Sequence, residues 1–179
     1  MLTTKTYTLD DAIAELTEQI DDLEVEIEDL EDGTDDHAVA TGRKDRLQYF
    51  RNGLEWQRDE EGWDGDAEIE LGALTAGEEA KMHREASDTA ERKEMRLWFV
   101  AASTVDAPYA ADTLSETFSE LANVHPAYAA WAESEANGLG VPESSGNRSS
   151  MSSTATGASK TSRDELNSTT TSSSDSPTA

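Results

Sequence analysis

The sequence contains no cysteine, only five lysines and few large apolar residues, since Leu, Ile, Val and Phe together number 27 of 179. Without cysteine, neither a disulfide framework nor a cysteine-ligated zinc site can form. No apolar run approaches the ~20 residues of a transmembrane helix, and the N-terminus lacks the basic-then-apolar pattern of a signal peptide. We therefore expect a cytoplasmic protein with no membrane partner.

Positive charge is also scarce, because 14 Lys and Arg stand against 39 Asp and Glu, for a formal net charge of −25. This field repels phosphate and anionic lipid, so general nucleic-acid binding is not expected. Molar salt shortens the Debye length to ~3 Å and screens such self-repulsion. The composition therefore favours a high-salt host cytoplasm, and an ordinary acidic, partly disordered protein is the alternative.

The composition changes abruptly near Pro142. Of the 37 residues from 143 to 179, 20 are Ser or Thr and none is aromatic. Such a segment cannot bury enough apolar surface to offset the entropy lost on ordering, so we predict a disordered tail. We accordingly divide the chain into an arm (1–61), a small helical domain (62–142) and the tail (143–179).

The strongest periodic pattern lies at the start of the chain, where apolar residues recur at alternating spacings of four and three. The predicted coiled-coil seam comprises Ile13, Leu16, Ile20, Leu23, Ile27 and Leu30. A second helical pattern, Ala40 to Gln57, overlaps a run of five cations from Arg43 to Arg58. An acidic helix, a short polar loop and a cation-bearing helix favour an antiparallel helical hairpin. A parallel homodimer of the first helix is the alternative.

Beyond the hairpin, the patterns predict a small helical bundle with at most one short strand, at Ala67–Leu71. Thr75 and Glu78 have the spacing of a capping box, and Pro126 suits the first turn of a last helix. Trp98 and Trp131 fall on apolar helix faces and are predicted to be core residues. The predicted fold class is mainly α.

The histidines and carboxylates form no recognisable catalytic or metal-binding motif. His83 lies four residues after Glu79, but no third ligand is near in sequence. The acidic residues from Asp64 to Glu68 depart from a calcium loop at its glycine and terminal glutamate positions. We therefore predict no enzymatic activity, no metal and no cofactor.

Two tryptophans, Trp56 and Trp63, flank the turn-rich joint after the second helix. An exposed aromatic side chain there would be an anchor for a partner. We expect Leu47, Phe50 and Leu54 to form the exposed part of the second helix's seam. These five residues are the predicted partner-binding surface.

Three segments resemble a known family: WDGDAEIELGALTAGEEAKM (63–82), WFVAASTVDAPY (98–109) and FSELANVHPAYAAWAESEANGLG (118–140). Together they are similar to the tail assembly chaperones encoded by tailed viruses of halophilic archaea. Ala129 and Ala130 depart from the pattern, since larger apolar residues are usual there. The resemblance implies a non-virion assembly factor that coats the long helical tape measure protein and keeps it soluble until tube subunits displace it.

Two other functional classes remain open. In one, the protein is a structural coiled-coil adaptor or virion connector whose arm is a permanent interface of a homo-oligomer. In the other, it is a regulator that binds nucleic acid through the cations between Arg43 and Arg58, although the net charge opposes this.

Overall fold

The computed structural model describes residues 1–86 and 90–140. Its elements in chain order are β1 (Thr4–Thr8), α1 (Leu9–Asp29), α2 (Asp35–Asp59), β2 (Glu68–Gly72), α3 (Ala76–Glu85), α4 (Arg92–Ser103), β3 (Thr104–Asp106), α5 (Leu114–Leu121) and α6 (Pro126–Leu139). The described part of the chain is mainly helical, which confirms the predicted class. The predicted disordered tail, 143–179, lies outside the described residues. None of the described helices combines the length and apolar character needed to cross a bilayer.

A small antiparallel sheet accompanies the helices, with strand order β1-β2-β3. The prediction of at most one strand is therefore wrong. β1 is rich in Thr and buries Tyr7 opposite Ile69 of β2, whereas β3 has only three residues. Neither segment has the repeated apolar alternation by which an isolated strand is recognised.

The first strand joins the N-terminal residues to the rest of the fold. β1 pairs with β2, α2 packs on α6, and all described residues fall in one compact unit. The predicted boundary after residue 61 therefore does not separate two compact units. The division followed the change in sequence pattern at the joint, and a pattern carries no information about strand pairing across it.

Helices α1 and α2 lie side by side, and each begins with a threonine cap. Thr8 Oγ1 accepts from the Asp11 amide at 3.1 Å, and Thr34 Oγ1 accepts from the His37 amide at 3.3 Å. In the linker between them, Gly33 adopts φ 81°, a left-handed conformation that glycine reaches without strain. These caps satisfy amides that would otherwise lack partners at the helix starts.

The apolar seam of α1 supplies much of the core on this side of the molecule. Ile13, Leu16, Ile20 and Leu23 are buried, whereas Ile27 and Leu30 are half-buried. Salt bridges run between the two helices, from Arg58 to Asp10 at 3.2 Å and from Lys44 to Glu24 at 3.7 Å. The seam thus packs within this chain.

Aromatic side chains fill the centre of the fold. Trp131 and Tyr128 of α6 are almost fully buried, and Trp131 meets the ring of Tyr7 edge-on at 5.3 Å. Trp98 of α4 stacks on Phe118 of α5, with ring centroids 4.1 Å apart. The predicted burial of Trp98 and Trp131 is confirmed.

Helix α6 carries small residues because its neighbours approach closely. A Cβ added at Gly53 of α2 would overlap the Tyr128 amide nitrogen and would lie 2.7 Å from the Ala127 Cβ. Ala129 and Ala130 are also buried. The departure at these two positions is therefore compatible with a tightly packed α6.

The two helix starts predicted at Thr75 and Pro126 are confirmed. Thr75 and Glu78 form a reciprocal capping box at α3, and Pro126 stands in the first turn of α6. Glu78 also binds the N-terminal ammonium group at 2.8 Å. Hydrogen bonds from that ammonium and from Thr75 lower the pKa of Glu78 to about 2.

Candidate functional site

The structure corrects part of the predicted partner-binding surface. Leu54 is 0 % exposed and Phe50 is 5 % exposed, so neither is available to a partner. The reason is that α6 packs against α2 and covers the face that would be open in a free hairpin. Leu47 is half-buried and packs against the same core.

A first groove lies beside Leu47, where α1, α2 and α6 meet, and we call it the α1–α2 groove. It encloses about 260 Å³ and is lined by Leu16, Gln19, Arg43, Arg46, Leu47, Phe50, Ser134 and Glu135. The Arg46 guanidinium donates to Ser134 Oγ at 3.2 Å and lies 5.2 Å from the Phe50 ring centre. Two of the polar side chains that line the α1–α2 groove are therefore already bonded to each other.

A second groove lies beside α2, between α4 and α6, and we call it the α2–α4 groove. It encloses about 310 Å³ and is lined by Tyr49, Lys93, Arg96, Leu97, Leu121, Ala122, Val124, Pro126 and Ala129. Most of these side chains are apolar. Tyr49 is 46 % exposed at its rim, and Arg96 is held by Glu133 at 2.7 Å.

Sequence reasoning missed the α2–α4 groove, although a signal for it exists. Helix α4 is apolar nearly all round, with Leu97, Phe99 and Val100 beside the predicted core face. Val100 is buried, whereas Leu97 and Phe99 are only half-buried. A helix that is apolar nearly all round cannot bury all of its side chains on one core face, so some of its apolar surface remains accessible to a partner.

The two predicted tryptophan anchors flank the joint, with Trp56 in the last turn of α2 and Trp63 after that helix, and both are half-buried. The Trp56 ring centre lies 5.4 Å from that of His125. The Trp63 ring lies 5.9 Å from Tyr109 and 5.1 Å from Tyr128. Part of each indole is therefore accessible, and a role in binding stays a prediction.

Trp63 also lines a small cavity that we call the joint pocket. It encloses about 120 Å³ and is lined by Gln57, Glu61, Trp63, Pro108, Tyr109, Glu120, Asn123 and Val124. Burial raises the pKa of the Tyr109 phenol, whose oxygen lies 3.0 Å from Thr104 Oγ1. The pocket has no cationic side chain among its lining residues.

Most cations of α2 are paired with carboxylates. Lys44 meets Glu24, Arg51 lies 3.6 Å from Glu55, and Arg58 binds Asp10 and Asp59. Among the residues that the structure describes, Arg43 and Arg46 are the cations of α2 without a carboxylate partner, and both line the α1–α2 groove.

The side chains considered for metal binding do not converge. His83 Nε2 lies 3.9 Å from Glu79 Oε1, and both side chains are more than half exposed. Within residues 1–86 and 90–140, no group of three His, Asp or Glu side chains is arranged to hold a metal ion.

Comparisons of this chain with protein-family models, with curated proteins and with solved structures found no match.

Proposed function

We propose that this protein is a tail assembly chaperone of a tailed virus that infects a halophilic archaeon, and that it keeps the tape measure protein soluble during tail assembly. It acts without catalysis, in the high-salt cytoplasm of the host, and is absent from the finished particle. The support is the resemblance of residues 63–82, 98–109 and 118–140. The last of these segments supplies five of the side chains that line the α2–α4 groove: Leu121, Ala122, Val124, Pro126 and Ala129.

The single observation that carries a binding function is the α2–α4 groove itself. Apolar concave surfaces between helices are where amphipathic helices of partners bind, with anchors at positions i, i+3 or i+4, and i+7. Leu97, Val124 and Pro126 form an apolar floor, and Tyr49 offers an exposed aromatic rim. A long helical client with a repeating apolar stripe has the matching chemistry.

Charge at the groove favours the same kind of client. Lys93 is exposed at the rim of the groove, in a protein with a formal net charge of −25. An acidic residue beside the client's apolar stripe would therefore be attracted by Lys93, whereas the acidic surface elsewhere would repel it. This restricts the register in which a helix can lie in the groove.

The α1–α2 pair completes the proposal as an antiparallel helical hairpin whose first helix carries only acidic charges. Twelve acidic residues and no basic residue lie between Thr8 and Asp32. A highly charged exterior opposes self-association of the complex. The hairpin thus acts as a solubilising shield for a client held in the groove on the other side of α2.

Co-expression with the tape measure protein in a high-salt host tests this proposal. The wild type should raise the soluble fraction of the client, and Tyr49→Ser with Lys93→Glu should abolish most of that gain. Both side chains are surface-accessible, so the fold should survive. The matched control is Val39→Ser with Lys81→Glu, at exposed positions outside the groove, and it should retain the wild-type gain.

Two outcomes would redirect the assignment. Equal loss in the groove variant and its control would remove the groove from the mechanism. Stoichiometric recovery of the protein in purified virions would instead make it a structural adaptor or connector.

A further inference from the structure

The joint pocket contains a buried amide group whose hydrogen-bonding capacity is unused. Gln57 is 0 % exposed, and neither Nε2 nor Oε1 has a hydrogen-bond partner within the part of the chain that the structure describes. A buried polar group without a partner lowers the stability of the fold, because it has lost its hydrogen bonds to water. Because Gln57 lines the pocket, a guest that donates a hydrogen bond there can pair with Oε1.

One side of the pocket is formed by two aromatic rings that pack against their neighbours. Trp63 and Tyr109 line it, with ring centres 5.9 Å apart and planes inclined by 30°. Tyr128 backs both rings, edge-on at 5.1 Å and 5.8 Å. The Trp63 amide also donates to the Gln57 carbonyl oxygen at 3.0 Å, which ties the indole to the end of α2.

The remaining polar lining is acidic. Glu61 and Glu120 both face the pocket and remain exposed, and Asn123 lies beside them. Aromatic faces attract cations through their quadrupole, and carboxylates do so through charge. An anion would meet two carboxylates, and a purely apolar guest would leave Gln57 Oε1 without a donor.

We propose that the joint pocket binds a primary ammonium group, presented by a lysine side chain of a partner protein. The ammonium donates to Gln57 Oε1 and to the carboxylates of Glu61 and Glu120, while its methylene chain lies against Trp63 and Tyr109. The site shares only Val124 with the α2–α4 groove, and it does not depend on the proposed function. It assigns Trp63 a direct role in recognition.

The test uses n-butylammonium chloride as the probe, titrated into the full chain at constant chloride concentration. The Trp63 indole N–H signal in the NMR spectrum, assigned with Trp63→Phe, should shift and saturate, together with the Gln57 side-chain amide signals. Neutral n-butanol, of similar size, should produce no saturating shift. A pocket that holds only water would respond to neither probe, and this result would overturn the proposal.

Variants then assign the interaction to the pocket. Glu61→Gln with Glu120→Gln should weaken butylammonium binding at least tenfold without altering the fold, because both side chains are exposed. Glu60→Gln with Glu85→Gln removes the same charge from exposed residues outside the pocket and should change the affinity less than twofold. Gln57→Leu should weaken binding several-fold. Equal weakening by the two double variants would show a response to net charge alone and overturn the proposal.

Discussion

At Gly53, helix α2 passes so close to α6 that the backbone of one helix fills the space a side chain would need on the other. Glycine in a helix interior is otherwise unfavourable, by about 0.5–1 kcal/mol relative to alanine. Gly42 lies in the same helix, and a Cβ there would meet nothing within 4 Å. A side chain at position 53 would therefore clash with α6, whereas a side chain at position 42 would fit without a clash.

We predict that Gly53→Ala destabilises the protein by about 1–3 kcal/mol, because the new methyl group would overlap the Ala127–Tyr128 backbone. Gly42→Ala should instead stabilise it by about 0.5–1 kcal/mol through helix propensity. Urea unfolding of both variants, followed by circular dichroism in high salt, compares them. Equal stability of the two variants would mean that α2 and α6 do not approach as closely as the structure has them.

At the scale of single elements, the heptad seam of α1 is the feature that sequence and structure share most fully. The alternating spacing predicts one apolar stripe, and its residues through Leu23 are buried in the structure. Ile27 and Leu30 are half-buried near the end of the helix. The partner helix cannot be predicted from the stripe alone, because α2 and a second copy of α1 offer similar apolar surfaces.

Leu23→Asp tests which partner covers the seam. Leu23 is 4 % exposed and packs within one chain, so the charge should destabilise the monomer by about 3 kcal/mol or more. The matched control is Val25→Asp, in the same helix at 63 % exposure, which should change stability by less than about 0.5 kcal/mol. Urea unfolding gives the stabilities, and light scattering gives the mass. A wild-type dimer that Leu23→Asp dissociates would contradict the intramolecular seam.

The strands show where element prediction from sequence stops. β2 was predicted from its alternating Glu and apolar residues, and it lies where expected, at Glu68–Gly72. β1 buries one aromatic side chain and leaves its first three residues exposed, so its conformation depends on the hydrogen bonds it makes with β2. Such a strand is stable only with its neighbour present.

At the scale of the whole molecule, charge is the dominant feature. Of the formal net charge of −25, −24 lies on residues 1–142. The salt bridges described above neutralise only a few of these carboxylates. At 0.1 M salt the Debye length is ~10 Å, so neighbouring carboxylates on α1 and α2 repel one another across the surface. Folding must overcome this repulsion.

We therefore predict that the melting temperature and helical circular dichroism rise as KCl increases from about 0.1 M to molar concentration, because screening lowers the cost of bringing the carboxylates together. Replacing Asp22, Glu26 and Asp29 with their amides should lower the salt concentration at which half the helical signal is gained. No gain with salt in the wild type would contradict this account.

The candidate sites were also predicted only in part from the sequence, because some of their residues are covered by distant segments of the chain. Trp63 was predicted as an accessible aromatic at the joint, and it lines the joint pocket. Phe50 and Leu54 were predicted as exposed and are buried, because α6 covers them from about 75 residues further along the chain. Tyr49, one position from Phe50, is exposed instead.

Local sequence was sufficient for the helices, their caps and the apolar seam, because each depends on residues within a few turns of one another. Only the tertiary structure decided that β1 pairs with β2, that α6 covers α2, and that Gln57, Trp63 and Tyr109 share a pocket. These contacts join residues far apart in the chain, and no periodic pattern encodes which surfaces meet. The physical reason is that apolar surfaces attract without direction, so the partner is chosen by the packing of the whole molecule.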